Sequence, residues 1–508
     1  MGDAVAPAQV CERRAVEGRA AAGSSYRRRE PERSILYETV RAHWKTLLAE
    51  VSQRADGGSF PRFVIAEFER YLSCGILARG FARVHCDTCR KDMLVAFSCR
   101  GRGFCPSCTT RRMQGTAIHL VDRVIPRVPV RQWVLSLPRW ARFLLARDPA
   151  LITRTLDLCL REIFNSHRRR ARRAGARASR PGAITFVQRF GGALNLNVHM
   201  HSVIPDGVFV REDGRARFEP LGAPSDNEVK EILRKIVVRI GRILRPRLES
   251  ARDDASPPSV LAAAQAEAVA NRLGTPAAVA ISKKHTAYLE GFSLHAGVHI
   301  HANDREGLSR LCGYGARPAL SQERLSSLPD GRLAIRLKRP LADGREELLL
   351  EPLELLRRLA TLVPPPRAHL VRFHGVFGPA SKWRSEIVPA PVEIPHEHQG
   401  TAPATPSEPV EAIETTQQVQ ARKPRRPDSK IRWAELLQRV FREDVLACPC
   451  GGRRRVLAFV TERNAIRAIL EHLGLPTTGP PIAPAGSGAP ADTAPWQDDV
   501  PSLPFTLH

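Results

Sequence analysis

Apolar residues recur at helical spacing in two stretches near the start of the chain. Ile35, Val40, Trp44, Leu47 and Leu48 share one face, and Phe63, Ile65, Phe68, Tyr71 and Leu72 share another. They predict two amphipathic helices between Ser34 and Gly80. Gln132–Leu137 reads as a short strand. Leu144–Asn165 returns to helical spacing through Leu145, Leu151, Ile152, Leu156, Leu158, Cys159 and Ile163. From Ile184 to Gly207 the pattern predicts a strand, a turn region at Gly191-Gly192, and a second strand ending at Asp206-Gly207. Residues 208–221 predict a further hairpin turning at Asp213-Gly214. Asp226–Leu248 is strongly amphipathic, with Val229, Ile232, Ile236, Val237, Ile240 and Leu244 on one face. Pro258–Leu273 is Ala-rich and predicts helix, and Leu289–Ala302 predicts a strand. Asn303 or Asp304 caps a helix whose inner face is Leu308, Leu311 and Cys312. Glu346–Leu362 predicts one more helix, and His374-Gly375 a turn. Strands and helices thus alternate in an α+β chain.

Breaks in this pattern set the domain boundaries. Residues 1–33 are Ala-, Arg- and Glu-rich without periodicity and read as a disordered basic arm. Residues 34–125 form a helical, cysteine-bearing N-terminal domain, and 126–385 the main domain. Residues 386–430 are a Pro-rich linker, 431–475 a small C-terminal module, and 476–508 a disordered tail. The first residues carry charges and no apolar core, so no secretory signal is expected. No apolar run reaches the ~18 residues of a membrane span. A cytoplasmic protein without a membrane partner is the expectation, and no P-loop for a nucleotide cofactor is visible.

Charge changes the picture by naming a partner. Lys and Arg number 78 against 52 Asp and Glu, a formal net charge of +26. Such an excess favours a polyanion. Aromatic residues make up only 6%, so phosphate contact by arginine should outweigh base stacking, and binding should weaken with salt. Arg111 and Arg112 lie beside the cysteines. Arg168, Arg169 and Arg170 open a run, His167–Arg180, that contains no acid. With Arg317, these are the candidate DNA contacts.

Cysteine spacing adds a metal. Cys86-x2-Cys89 is followed by Cys105-x2-Cys108. Two such knuckles are expected to close one tetrahedral zinc site, structural because four thiolates leave no open position. Cys99 and His85 are spare or alternative ligands. Cys448-Pro449-Cys450 has only one residue between its thiols, which argues against a second zinc site.

His199 and His201 lie near the end of the second strand of 184–207. Side chains at i and i+2 leave one face of a strand, so both imidazoles point the same way and Met200 the other. They are a ready chelate for a divalent ion, although core histidines share this spacing. Gln188, on the preceding strand, offers an amide oxygen as third ligand if the hairpin register allows. A second His-x-His, His299 and His301, leaves the metal site ambiguous on spacing alone.

The text QRFGGALNLNVHMHSVIPDGVF, with its His-hydrophobe-His strand, resembles the HUH endonucleases, which nick single-stranded DNA with a tyrosine. With the cysteine set, the chain is similar to bacterial rolling-circle transposases that carry an N-terminal zinc-binding domain. The likeness spans about residues 34–385 and 430–475. It implies an antiparallel sheet flanked by helices, with His199 and His201 preferred over the second pair. It also implies a catalytic tyrosine in Asn303–Leu325, where the match falls on Tyr314, with Tyr288 the one serious rival. Two-tyrosine members carry another tyrosine four residues on. Here that position is Pro318, so the single-tyrosine, common-region type is the nearer likeness. The implied activity is metal-dependent nicking and rejoining of single-stranded DNA at element ends through a 5′-phosphotyrosine. It would use Mg²⁺ or Mn²⁺ for catalysis and structural Zn²⁺, with hairpin or duplex DNA at the ends as a further partner. A DNA-binding remnant that no longer cuts and a rolling-circle replication initiator are the alternatives.

Overall fold

The computed structural model describes residues 28–54, 58–253, 259–270, 284–340, 343–389, 433–441 and 444–486. Most of the expected basic arm, of the linker and of the tail therefore lies outside the described residues, although Pro31–Arg33 of the arm is a short helical turn. In chain order, α1 (Ile35–Arg54) and α2 (Arg62–Leu72) come first, as predicted from their apolar faces. Then follow β1 (Phe81–Cys86), β2 (Asp92–Ala96), α3 (Pro106–Arg123) and β3 (Val130–Ser136). The stretch expected to form one helix from Leu144 is two, α4 (Arg139–Arg147) and α5 (Pro149–Arg173). Asp148 divides them, because its carboxylate accepts from the amides of Ala150 and Leu151 and Pro149 fills the first helical position. The arginine run is also helix as far as Arg173, where positive charge suits the C-terminal end of the helix dipole.

β4 (Gly182–Phe190) and β5 (Leu196–Pro205) make the expected hairpin. β6 (Gly207–Glu212) and β7 (Arg215–Pro220) make the next one. It turns through Asp213 and Gly214, both at positive φ, as a tight two-residue hairpin requires. α6 (Asp226–Asp253), α7 (Val260–Ala270), β8 (Thr286–Leu289), β9 (Phe292–Ile300) and α8 (Arg305–Gly315) follow. After them come β10 (Leu325–Ser327), β11 (Leu333–Arg336), β12 (Glu347–Leu350) and α9 (Pro352–Leu362). The helix expected over Glu346–Leu362 thus begins late. Pro352 cannot sit inside a helix and disfavours helical backbone at Glu351, so the preceding apolar residues pair with β11 instead. β13 (Val371–Gly375), α10 (Arg384–Ile387), α11 (Trp433–Phe441), β14 (Arg454–Val460) and α12 (Arg463–His472) complete the chain.

The chain divides into two compact units. The larger is built on a six-stranded antiparallel sheet in the order β13-β4-β5-β3-β9-β8. On one face, Leu308, Leu311 and Cys312 of α8 and Ala117 and Leu120 of α3 share a buried core with Ile184, Phe186 and Val203. The smaller unit joins residues 77–97 to 432–477. Its sheet runs β14-β1-β2, with Phe81 opposite Val460 and Cys86 opposite Arg454. Leu77, Phe81, Ile466 and Leu470 form its buried core. Residues expected to make a separate C-terminal module thus complete a sheet begun by the N-terminal domain.

Candidate active site

β4 and β5 pair with Gln188 directly opposite His199 and Phe186 opposite His201. Directly opposed residues share a face, so Gln188, His199 and His201 project to the same side. The two imidazole rings stand 4.8 Å apart between centroids. Neither histidine is more than 9% exposed. Burial lowers the pKa of His199 to about 4 and of His201 to about 3, and the neighbouring Arg317 cation acts in the same direction. Both rings are therefore neutral at physiological pH and hold a lone pair. His199 donates from Nδ1 to the Asn197 carbonyl at 2.8 Å, which leaves Nε2 as its free acceptor. His201 Nδ1 meets the Gln132 amide at 3.1 Å. The Gln132 amide nitrogen donates to Nδ1, so Nε2 carries the ring proton; turning that amide end for end would move the proton to Nδ1 and free Nε2 as an acceptor.

α8 lies over this face. Asp304 caps it by accepting from the Gly307 amide at 2.6 Å, and the expected inner face is buried. Gly315 ends the helix against Phe186, where an added Cβ would stand 2.5 Å from the ring. The Gln188 amide donates to the carbonyls of Tyr314 and Gly315 at 2.8 and 2.9 Å. Two acceptors that a helix end leaves open are satisfied in this way. The Tyr314 ring, 45% exposed, meets the His201 ring edge-on at 5.7 Å. The Arg317 guanidinium sits over Tyr314 at 4.3 Å from its centroid.

The residues fit a divalent cation on an observation independent of spacing. Gln188 Oε1 and His201 Nε2 are buried side-chain atoms without a hydrogen-bond partner. A buried amide oxygen left without a donor is costly unless something electropositive meets it. Gln132 was not foreseen, and nothing in the sequence distinguishes it from any other polar strand residue.

The rivals are placed elsewhere. His299 pairs with Arg131, on the face opposite to His199 and His201, and stands 3.7 Å from Asp206, which already pairs with Arg131. His301 lies past the end of β9 and is exposed. Tyr288 is in line with His199 through Ser293 and Ser136. Three strand spacings separate them, about 14 Å.

The four cysteines expected to close one zinc site are divided between two clusters. Cys105 and Cys108 join Cys74 and Cys99, with sulfur atoms within 4.8 Å of one another, all in the larger unit. Cys86 and Cys89 join Cys448 and Cys450 within the same limit, all in the smaller unit. Each x2 spacing makes one half of a site and does not choose its mate. Cys74 ends the turn after α2 without any local motif, which is why it went unseen. His85 is bound to Asp92 at 2.7 Å rather than to a cluster.

Of the candidate DNA contacts, Arg170 is committed to the carbonyls of Leu221, Gly222 and Ala223. Arg112 braces the carbonyls of Arg100 and Gly101. Arg111 and Arg169 are exposed, and Arg168 is half-buried beside Asn165. A cleft beside the end of α8 is lined by Arg102, Arg112, Gln188, Arg189 and Arg317.

Residues 182–384 match the family described as "Putative transposase", and residues 39–137 match the "Transposase zinc-binding domain" of the IS91 type. Together the two matches span more than half of the chain. The chain belongs to the IS91-type transposases. It is thus a DNA-processing protein with a zinc-binding domain, and its four-thiol clusters suit structural zinc. Searches of curated proteins and of solved structures returned no match. Among the described residues of the transposase, no helix is long and apolar enough to cross a membrane.

Proposed function

We propose that this transposase nicks and rejoins single-stranded DNA through Tyr314, with a divalent cation held by His199, His201 and Gln188. The reading is carried by one observation: the Tyr314 ring lies 5.7 Å from His201, on the face where Gln188 opposes His199. Bound there, Mn²⁺ or Mg²⁺ would withdraw charge from the non-bridging oxygens of the scissile phosphate. Imidazole and amide donors suit Mn²⁺ well and Mg²⁺ acceptably. The phenolic proton passes to solvent, and Arg317 places positive charge over the ring that becomes a phenolate. An O–P bond forms from Tyr314 as the P–O3′ bond breaks, and the departing oxygen takes up a proton to become a 3′-hydroxyl. The 5′-phosphate stays on the tyrosine, so rejoining to another 3′-hydroxyl needs no ATP. Arg317, at the adjacent cleft, holds the strand, while Arg111, Arg168 and Arg169 contact phosphates farther out. Hairpin or duplex DNA at element ends is the second partner on this reading.

Tyr314→Phe is expected to abolish the covalent adduct formed with a labelled single-stranded end oligonucleotide and Mn²⁺, read by denaturing electrophoresis. An adduct that survives this change overturns the assignment and moves the nucleophile to Tyr288.

A further inference from the structure

Cys86 and Cys450 are 364 positions apart in sequence, yet their sulfur atoms stand 3.6 Å from each other. Cys89 and Cys448 stand at the same 3.6 Å. These separations are too long for disulfides, and all four thiols are free. They match a tetrahedral thiolate site, in which sulfurs ~2.3 Å from zinc lie about 3.8 Å from one another.

The backbone around the sulfurs is shaped for charge. The amides of Cys89 and Thr88 donate to the Cys86 sulfur. The Cys450 amide donates to the Cys448 sulfur. Arg90 donates to the Cys86 carbonyl at 2.8 Å with φ at 57°, and Gly451 donates to the Cys448 carbonyl at 2.9 Å with φ at 87°. Each cysteine pair therefore ends in a residue with left-handed backbone, which turns the chain back under the sulfurs. Gly452 lies so close that an added Cβ would stand 2.3 Å from Thr88 and 3.1 Å from the Cys86 sulfur. The single-residue spacing of Cys448-Pro449-Cys450 is thus compatible with a metal once the partner pair comes from elsewhere.

We infer that Cys86, Cys89, Cys448 and Cys450 hold a second zinc ion, bound together with one at Cys74, Cys99, Cys105 and Cys108. This centre lies half outside the matched zinc-binding domain, which ends at residue 137. One strand ladder and one ion pair flank it: Phe81–Cys86 pairs with Arg454–Val460, and Asp87 accepts from Arg455 at 2.8 Å. Neither cysteine pair can fill it alone. A chain that stops before residue 448 keeps only half a site, so full loading reports that synthesis has passed residue 450 and that the two segments have met.

The test is zinc per chain in purified full-length protein, counted by atomic emission. Wild type should hold two. Cys448→Ser with Cys450→Ser should hold one, Cys86→Ser with Cys89→Ser should hold one, and all four substitutions together should still hold one. If the C-terminal pair leaves zinc at two, or wild type holds only one, the inference is overturned. Cobalt titration of zinc-free wild type needs no substitution. Thiolate-to-cobalt absorption should saturate at two equivalents per chain, and saturation at one overturns it equally. Neither readout uses DNA cutting, so the result stands apart from the role of Tyr314.

Discussion

The main sheet carries two His-x-His pairs of identical spacing in environments that have little in common. His199 and His201 sit on a central strand, buried and neutral, on a face that also carries Gln188 and meets Tyr314 of α8. His299 faces the other side beside an Arg131–Asp206 pair that is already neutral overall, and His301 lies beyond the strand in solvent. Spacing puts two rings on one side of a strand. On the proposed reading, a third donor in register and burial that keeps protons away would make only the first pair a chelate.

The largest break in this comparison should come from single truncations. His201→Ala is expected to lower Mn²⁺-dependent nicking by roughly a thousand-fold or more, because a ligand of the proposed ion is lost. A smaller loss should follow from Gln132→Leu, which leaves both imidazoles but frees His201 to rotate. Loss of such a supporting hydrogen bond typically costs about 10–100-fold in metal affinity. Calorimetric Mn²⁺ titration should show it, and an unchanged affinity would remove Gln132 from the site.

Acid sharpens the contrast next. A histidine whose folded pKa is depressed takes up protons in the unfolded chain first, below 6.5. Stability present at neutral pH is therefore lost as pH falls from 6.5 toward the folded values of about 4 and about 3. In metal-free protein at pH 5, each buried histidine should contribute about 2 kcal/mol of this loss. His201→Gln should flatten the fall in Tm between pH 7 and pH 5, and an equally steep fall would contradict the burial argument. The smallest effect belongs to His301→Ala, expected to leave nicking within about twofold because the ring is exposed and remote from Tyr314.

What the sequence made legible follows the same distinction between local and distant. The 184–207 hairpin, the turn at Asp213-Gly214 and the Asp304 cap of α8 were readable because each is decided by neighbours in the chain. Gln188 could be named but not placed, since register depends on both strands. The two cysteine clusters were not separable at all. A Cys-x2-Cys pair states its own geometry and nothing of its mate, and Cys448 and Cys450 are brought in by a strand pairing hundreds of residues away. The helix expected from Glu346 failed because Pro352 outranks apolar periodicity. The arginine run resisted for a different reason: side-chain chemistry suggested DNA for all three of Arg168, Arg169 and Arg170, yet only the structure shows Arg170 spent on loop carbonyls.

One amide ties these strands of the account together. Gln188 grips the backbone of Tyr314 through its nitrogen and leaves its buried oxygen without a hydrogen-bond partner. An ion drawing on that oxygen would polarise the whole amide and tighten its hold on the helix end. Choice of ion and reach of the nucleophile would then be one adjustable quantity. Altering residue 188 to change the preferred ion should therefore shift the attack geometry of the proposed nucleophile as well.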